Sequence, residues 1–474
     1  MDMTLLINEF LITGIIVLLL LLDFVIKDKK EIIGIVYSVS MLAMMFYVMF
    51  FNKQGILLEG AYVADGIAWF SKIAILAAAF LTGLMSINTI KVSKKYSAAY
   101  YILLACSTLG LMFLVSSKEL ITLYVGLELA TISLYGLSAM HKNDNLSLEA
   151  GIKYLILGAV SSGILLYGLS LIYGVTRTTY LDGIMAYATS GAIGPVFIMA
   201  LIMTLLGVGF KLSMVPMHVW TPDVYQGAPT PVTAFISVAS KAAGFVFAIR
   251  LFAYMFIKLD YVWVPILAVI ALLTMTIGNL MAIPQKNVKR LLAYSTISQA
   301  GYILVGFVGA SVIGISSVMF YLLAYTVTNI AAFAVVAAFA KSTGSENLDD
   351  YAGLAQKEPL LALIFMFALL SLAGIPPLAG FVGKFYLFYA AMQKGYTWLV
   401  IAGALNSTVS LYYYLLVLRQ MYLTDRKKEL PKVVMPLGIK LTLLITMLAV
   451  FILGLMPGPV LDITTDIAQK LFLQ

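Results

Sequence analysis

The sequence predicts an all-α polytopic membrane protein of about 14 transmembrane helices, with two inverted five-helix repeats that each contain a discontinuous helix. Three observations carry that prediction. The 474 residues are 62% hydrophobic and only 11% charged, with a mean hydropathy of +1.01, whereas a soluble globule sits nearer ~45–50% apolar and ~25% charged. Apolar runs of roughly 18 or more residues recur from end to end, each long enough to cross a ~30 Å hydrocarbon core as a helix. Two of those runs are interrupted by prolines and glycines beside a lysine, in "KLSMVPMHVWTPD" and "LAGIPPLAGFVGKF".

Windowed hydropathy places the spans near 4–26, 32–51, 66–89, 98–116, 119–140, 150–174, 194–220, 229–256, 262–283, 291–310, 314–340, 359–390, 396–422 and 435–457. The first, "LLINEFLITGIIVLLLLLDFVI", lacks a basic leader and a small-residue cleavage site, so it is expected to remain as a span. The longest polar connection, "KSTGSENLDDYAGLAQKEP" from Lys341 to Pro359, is expected to be a partly helical surface loop. Cys106 lies in an apolar run as a packing residue, and a single cysteine forms neither an internal disulfide nor a CxxC motif.

Cations give the orientation. Odd connections, from Lys27, Lys29 and Lys30 after the first span to Arg426, Lys427, Lys428 and Lys432 before the last, hold seventeen Lys and Arg. Even connections and the tail hold seven: Lys53, Lys118, Arg177, Arg250, Lys258, Lys394 and Lys470. The odd connections are therefore expected in the cytoplasm and both termini outside. The net charge of +8 is mostly this topological bias and calls for no nucleic-acid partner.

Among the cations that remain are three lysines deep in spans, Lys211, Lys241 and Lys384, and there is an equally deep acid, Glu128 in "LYVGLELATISLYGL". A charge at the bilayer centre costs at least ~2.5–3.5 kcal/mol. A buried ion pair that fixes helix packing is one use for such groups; an ion or proton path through the bundle is the other. Lys153 in "EAGIKYLILGA" sits near a helix end, where it either snorkels to the surface or joins the path.

Each break adjoins a deep lysine. Pro216 and Pro222 follow Lys211, and Gly374, Pro376, Pro377, Gly380 and Gly383 precede Lys384. Proline removes a backbone donor, and in lipid the freed carbonyls need partners, so such breaks survive only inside protein or beside water. The two breaks fall in the seventh and twelfth spans, five apart, which is the spacing of an inverted repeat. The chain accordingly divides into three N-terminal helices (1–97), a first repeat (98–256, helices 4–8, broken near 214–223), a second (262–422, helices 9–13, broken near 374–383) and a last helix (435–457). Desolvation disfavours a charged amine and a nearby carboxylate favours it, so a buried lysine near Glu128 is suited to exchanging protons. His218, just past the first break, is either a relay or a packing histidine.

The segments "GFKLSMVPMHVWTPDVYQGAPTPVTAFISVASKAA", "GLELATISLYGL", "NVKRLLAYSTISQAGYILVG" and "LAGIPPLAGFVGKFYLF" resemble the subunit N family of bacterial complex I, the proton-pumping NADH:quinone oxidoreductases. The likeness spans nearly the whole chain. The wider set includes the L and M subunits and the large subunits of Mrp-type sodium/proton antiporters, but "PDVYQGAPT" followed by "SVASKAA" looks like the N type. The resemblance implies that Glu128 and Lys211 form the coupling pair, that Lys241 continues a central polar axis, and that Lys384 lies near the second half-channel. It matches Lys153 to a sixth-span lysine of less settled role. This chain has Gln299 where the tenth-span motif often carries histidine; glutamine does not titrate, so a relay there falls to water or to Tyr294, Ser298 and Tyr302.

There is no phosphate-binding loop, because "GFVGKF" lacks the required spacing and the following Ser or Thr. Two histidines are too few and scattered for paired haem ligation, and one cysteine cannot hold an iron–sulfur cluster. No cofactor is therefore expected in this chain. The reading is a translocase subunit of a complex I-type enzyme in the bacterial plasma (inner) membrane, with NADH, FMN, iron–sulfur clusters and quinone bound by partner subunits. Its partners would be other complex I membrane subunits, the lipid bilayer and protons. The alternatives are a subunit of an Mrp-type antiporter and a stand-alone secondary transporter.

Overall fold

Within a hydrocarbon core every backbone N–H and C=O needs a partner inside the protein, and helices satisfy this segment by segment. The computed structural model, which describes residues 2–26, 31–51, 53–90, 97–191, 193–425 and 431–473, follows that rule. Its helices are α1 (Ile7–Val25), α2 (Glu31–Phe50), α3 (Gly66–Ser86), α4 (Ser97–Ser116), α5 (Leu120–Ser138), α6 (Asn145–Thr176), α7 (Leu181–Thr189), α8 (Pro195–Leu212), α9 (Trp220–Gly227), α10 (Thr230–Phe235) and α11 (Lys241–Ala248). There follow α12 (Asp260–Ala282), α13 (Val288–Val308), α14 (Val312–Thr343), α15 (Leu354–Lys357), α16 (Pro359–Ala373), α17 (Ala379–Gln393), α18 (Thr397–Leu423), α19 (Leu437–Leu455) and α20 (Gly458–Leu473). α10, a π-helical turn at Ile236–Ser240, α11 and a second π-helical turn at Ile249–Met255 run on as one membrane helix, Thr230–Met255.

Among the described residues 13 helices are long and apolar enough to span a bilayer. The span expected near 359–390 is instead two halves of 15 residues each, α16 and α17. Several starts follow from local chemistry. Asp65, Glu119, Asp144, Asn287 and Ser311 each turn a side-chain oxygen onto a free N–H of the first turn of α3, α5, α6, α13 and α14.

The helix Thr230–Met255, α13 and almost all of α14 are buried and form the centre of the bundle. α1, α6 and α18 lie at the periphery, where Leu21, Leu155 and Leu405 are exposed as lipid-facing side chains would be. Some elements lie outside the predicted spans: a hairpin pairing Gly55–Leu57 with Tyr62–Ala64, the short α7, and the C-terminal α20. In the connection after α14, Tyr351 and Leu354 are buried while Asp349 and Asp350 are exposed, so the loop is anchored rather than wholly superficial.

Arg250 corrects the cation count. It is not in a connection but inside Thr230–Met255, and it is fully buried. Lys27, Lys29, Lys30, Lys91, Lys94, Lys95, Arg426, Lys427 and Lys428, on which the expected orientation leans, lie outside the described residues.

Candidate functional site

The first helix break runs from Ser213 to Val219, between α8 and α9. α8 leaves carbonyls without helical donors, and each described partner comes from nearby. Met214 N–H donates to the Gly209 carbonyl at 2.8 Å. Trp220 Nε1 donates to the Phe210 carbonyl at 3.1 Å, and its ring stacks 4.6 Å from that of Tyr154. The last helical carbonyl, Leu212, accepts from Lys241 Nζ at 2.9 Å, and the same amine donates to Ser213 Oγ at 2.8 Å. Thr221 Oγ1 also donates to Ser213 Oγ at 2.8 Å.

The second break, between α16 and α17, repeats this solution with different residues. Gly374 has a φ of +91°, and a Cβ there would lie 3.0 Å from Lys384 Cδ, so glycine both turns the chain and admits the lysine. The Leu372 carbonyl accepts from Gln299 Nε2 at 2.8 Å. The last helical carbonyl, Ala373, accepts from Lys384 Nζ at 3.1 Å and from Ser407 Oγ at 3.2 Å. The Lys384 amine also donates to Ser407 Oγ at 3.0 Å and lies 4.1 Å from the Tyr302 ring centroid. At both breaks a buried lysine amine therefore caps the final carbonyl of a half-helix.

Hydroxyls and amides join the two breaks. Ser237, four residues before Lys241, accepts from Asn329 Nδ2 at 2.8 Å. Asn329 Nδ2 also donates to Tyr325 OH at 3.0 Å, and Tyr325 OH donates to Thr296 Oγ1 at 3.0 Å. Three residues on, Gln299 accepts from Tyr321 OH at 2.6 Å and donates to Tyr414 OH at 3.3 Å, besides holding Leu372. Ser295 Oγ and Tyr414 OH are 2.5 Å apart, and Ser298 Oγ donates to the Ser295 carbonyl at 2.8 Å. Tyr302 OH accepts from Asn279 Nδ2 at 3.1 Å. Residues i and i+3 or i+4 share a helix face, so the steps from Ser237 to Lys241 and from Thr296 to Gln299 each span one helical turn. The result is a polar line through an apolar bundle, from Lys241 to Lys384.

The predicted residues fall into three groups. Lys241, Gln299, Ser298 and Lys384 lie on this line. Lys211 reaches α5 by donating to Thr131 Oγ1 at 2.9 Å, whereas Glu128, one turn earlier on α5, accepts from Ser162 Oγ at 2.5 Å. Glu128 is half-buried rather than deep, and it makes no direct ion pair with Lys211. Lys153, His218 and Tyr294 stand off the line. Lys153 pairs with Asp223 and Glu149, each at 2.6 Å, and Arg290 holds the other oxygen of Asp223 at 2.7 Å. That side chain is 38% exposed. His218 is half-buried in the break with Nδ1 lacking a hydrogen-bond partner. Tyr294 is buried with the Arg290 guanidinium 5.9 Å from its ring.

A separate charged network escaped the sequence reading. Lys72 Nζ pairs with Glu9 at 2.7 Å, and Tyr62 OH donates to Glu9 Oε2 at 2.9 Å. Arg250 grips Asp65 with two nitrogens, at 2.6 and 2.8 Å, and donates to the Val115 carbonyl at 3.0 Å. Burial alone would raise the Asp65 carboxyl, but the guanidinium holds it below the usual carboxylate range. Lys118 Nζ lies 3.7 Å from Asp182 and donates to Tyr254 OH at 3.0 Å. Only one signal was available: a charged residue inside an apolar run, which applied to Glu9 and Lys72 as much as to Lys211.

A family profile described as "NADH:quinone oxidoreductase/Mrp antiporter, TM" matches residues 117–410. The NADH-quinone oxidoreductase subunit N of Moorella thermoacetica is 47% identical over 423 residues, covering 89% of this chain and 88% of that one. A chain in the structure of respiratory complex I from Thermus thermophilus with bound aureothin superposes with a TM-score of 0.81 at 31% identity, over 96% of this chain and 98% of that chain. A chain of the Mrp complex from Dietzia sp. superposes with a TM-score of 0.86 over 100% of this chain and 98% of that chain, but at 21% identity it shares the fold alone.

Proposed function

The chain belongs to the NADH-quinone oxidoreductase subunit N family, and from that membership we propose how it serves as the proton-translocating membrane subunit of a complex I-type translocase: Lys211, Lys241 and Lys384 carry protons along the polar line between the two breaks. The observation behind this assignment is the lysine chemistry. Among the described residues none of the three has a carboxylate within ion-pair distance; hydroxyls and carbonyls hold them instead. A carboxylate partner would fix the positive charge. Carbonyl and hydroxyl oxygens accept a hydrogen bond from either –NH3+ or –NH2, so such a lysine can release a proton and regain it without losing its place.

In this scheme Glu128 biases Lys211 through space rather than by contact. Lys241 sits against the break that follows Lys211, so a charge change at one lysine is felt at the other. Ser237, Asn329, Tyr325, Thr296 and Gln299, with water, conduct between Lys241 and Lys384. Gln299 works by relaying donors and acceptors rather than by titrating. Residues 98–256 and 262–422 act as inverted repeats, one broken helix to each. NADH, FMN, the iron–sulfur clusters and quinone belong to partner subunits, since one cysteine cannot ligate a cluster. The chain lies in the bacterial plasma membrane beside other complex I membrane subunits, with both termini outside.

The test is proton uptake by inverted membrane vesicles during quinone reduction, at matched complex levels. Lys211→Met and Lys384→Met should each lower the proton-to-electron ratio strongly, and Lys384→Met more than Gln299→Ala. Normal pumping by both lysine variants would overturn the assignment.

A further inference from the structure

The start of α1 and the end of α2 meet at a cleft of about 320 Å³, lined by Thr4, Asn8, Tyr47, Phe50, Phe51 and Lys53 among others. That is within the ~300–1,000 Å³ range of small-ligand sites. None of these six residues belongs to the polar line or to the charged network. The cleft lies at the end of α1 that carries the N-terminus, the end the cation bias assigns to the outside.

It offers a cation and an unmet acceptor. Lys53 is exposed, and its amine donates to Thr4 Oγ1 at 3.0 Å. Thr4 Oγ1 donates in turn to Asp2 Oδ1 at 2.6 Å. Among the described residues no carboxylate lies within ion-pair distance of Lys53; a hydroxyl is its partner. An ammonium carries three donors, so two remain for another group. Asn8 Oδ1 is buried and accepts no hydrogen bond. An unmet buried acceptor costs free energy, and rotation about χ2 lets the asparagine turn either end of its amide to the cleft.

The remaining walls are apolar and face outward. Phe50 and Phe51 are exposed, and the rings of Tyr47 and Phe51 stack at 5.3 Å. Tyrosine and tryptophan collect at headgroup level in membrane proteins. Trp69 Nε1 donates to the Val48 carbonyl at 2.9 Å and so fixes the end of α2 beside this level. Deeper in the membrane Ile7, Leu11, Gly14 and Leu18 follow one face of α1, at spacings of four and three, and all are exposed. No described atom comes within 4 Å of where a Gly14 Cβ would stand, so that face carries a shallow open groove.

We propose that this cleft binds one phospholipid of the outer leaflet whose headgroup carries a phosphate and free hydroxyls, a phosphatidylglycerol. The phosphate takes the two free donors of Lys53, which meets it as a point charge. A headgroup hydroxyl donates to Asn8 Oδ1, and an acyl chain lies along the Gly14 groove of α1. Asn8 supplies the discrimination. An amide both accepts and donates, and so does a hydroxyl, whereas an ethanolamine ammonium only donates and is better matched by a carboxylate. The site depends on the placement of the chain in a membrane and not on the lysine assignment above.

The test uses the assembled complex in phosphatidylcholine vesicles that contain a trace of photoactivatable phosphatidylglycerol or, in a parallel sample, phosphatidylethanolamine with the same diazirine acyl chain. After irradiation, lipid adducts on peptides of α1 and α2 are counted by mass spectrometry against the adducts on the rest of the complex. Phosphatidylglycerol should label α1 and α2 roughly fivefold or more above phosphatidylethanolamine, since specificity is a difference of affinities. Lys53→Gln, a change at an exposed residue that keeps the fold, and Asn8→Leu should each bring that labelling down to the phosphatidylethanolamine level. Asn8→Asp, which sets a carboxylate in the same shape, should shift the preference toward phosphatidylethanolamine. Equal labelling by the two lipids, or a preference that survives both Lys53→Gln and Asn8→Asp, would reduce the cleft to ordinary boundary lipid and overturn the proposal. A wild-type preference for phosphatidylethanolamine would overturn the headgroup assignment. Lipid adducts elsewhere in the complex but none on α1 and α2 would show that a partner chain covers the cleft, which also overturns it.

Discussion

Lys241 and Arg250 lie nine residues apart on one membrane helix and are equally removed from solvent, at 2% and 0% exposure. Arg250 is clamped by a carboxylate; Lys241 is held by a carbonyl and a hydroxyl. The same division runs through the molecule. Lys72 and Lys118 have Glu9 and Asp182, while Lys211 and Lys384 have Thr131, Ser407 and the Ala373 carbonyl. Burial therefore does not distinguish the lysines proposed to carry protons from the paired cations, but the partner does. An ion pair locks its charge in one state and one geometry, whereas a neutral cage tolerates both states of the amine. Arginine stays protonated in any protein environment, so its use at the clamp and lysine's use on the line match the two tasks.

The largest effect expected from that contrast is on assembly. Arg250→Leu strands the Asp65 carboxylate, whose side chain is only 17% exposed, and breaking a buried pair from one side costs up to ~3–5 kcal/mol. The amount of assembled complex recovered in mild detergent should fall sharply. Asp65→Leu combined with Arg250→Leu should restore much of it, because the unpaired charge is then gone. If the single variant assembles normally, the clamp is not structural.

A step smaller in assembly, and opposite in kind, is Lys241→Met. It leaves a hydroxyl and a carbonyl short of one donor, a loss of order ~1–3 kcal/mol. Complex levels should stay near normal while pumping drops at least ~tenfold, as for loss of a proton-transfer group. Lys241→Arg sharpens the point. It preserves the cation and its hydrogen bonds, so a purely structural role predicts rescue, whereas proton exchange predicts failure. Proton uptake per quinone reduced is the measurement, and full activity of the arginine variant would place Lys241 with Arg250.

How much of this was legible beforehand follows from the same physics. Length and hydropathy were enough to locate the 13 spanning helices of the described residues, because a spanning helix needs only a long apolar run, but not α7 or α20, which are shorter. The breaks were legible because proline and glycine act locally. Lys211, Lys241 and Lys384 stood out as charges in lipid, but so should Lys72 and Glu9, and sequence does not reveal which carboxylate a cation meets. Asp65 and Arg250 are 185 residues apart, a pairing that no spacing rule encodes. The neutral connectors were hidden for a different reason. Ser237, Tyr325 and Asn329 are ordinary residues in apolar helices, and only the packing of α14 against the Thr230–Met255 helix turns them into a path. Glu128 shows the converse. Its position in an apolar run suggested depth, yet α5 turns it toward Ser162 at a half-exposed face.

The smallest expected effect concerns acid. Asp65 is held below the usual carboxylate range by Arg250, so it binds its proton more weakly in the folded protein than in the unfolded chain. The clamp therefore stabilises fully above the unfolded value, ~3.9 for aspartate, and its contribution is lost as pH falls through the lower folded value. Asp65→Asn removes that titration. At neutral pH the variant should be less thermostable than the wild type in detergent, and the gap should close as pH is lowered below ~4. The lysine line predicts no such convergence for Lys384→Met, because no carboxylate among the described residues pairs with that amine. Thermal inactivation of both variants across an acid series separates the two cases. A gap that stays constant for Asp65→Asn would mean that the carboxylate is not held ionised by Arg250, and the division between clamped and neutral-caged cations would lose its clearest member.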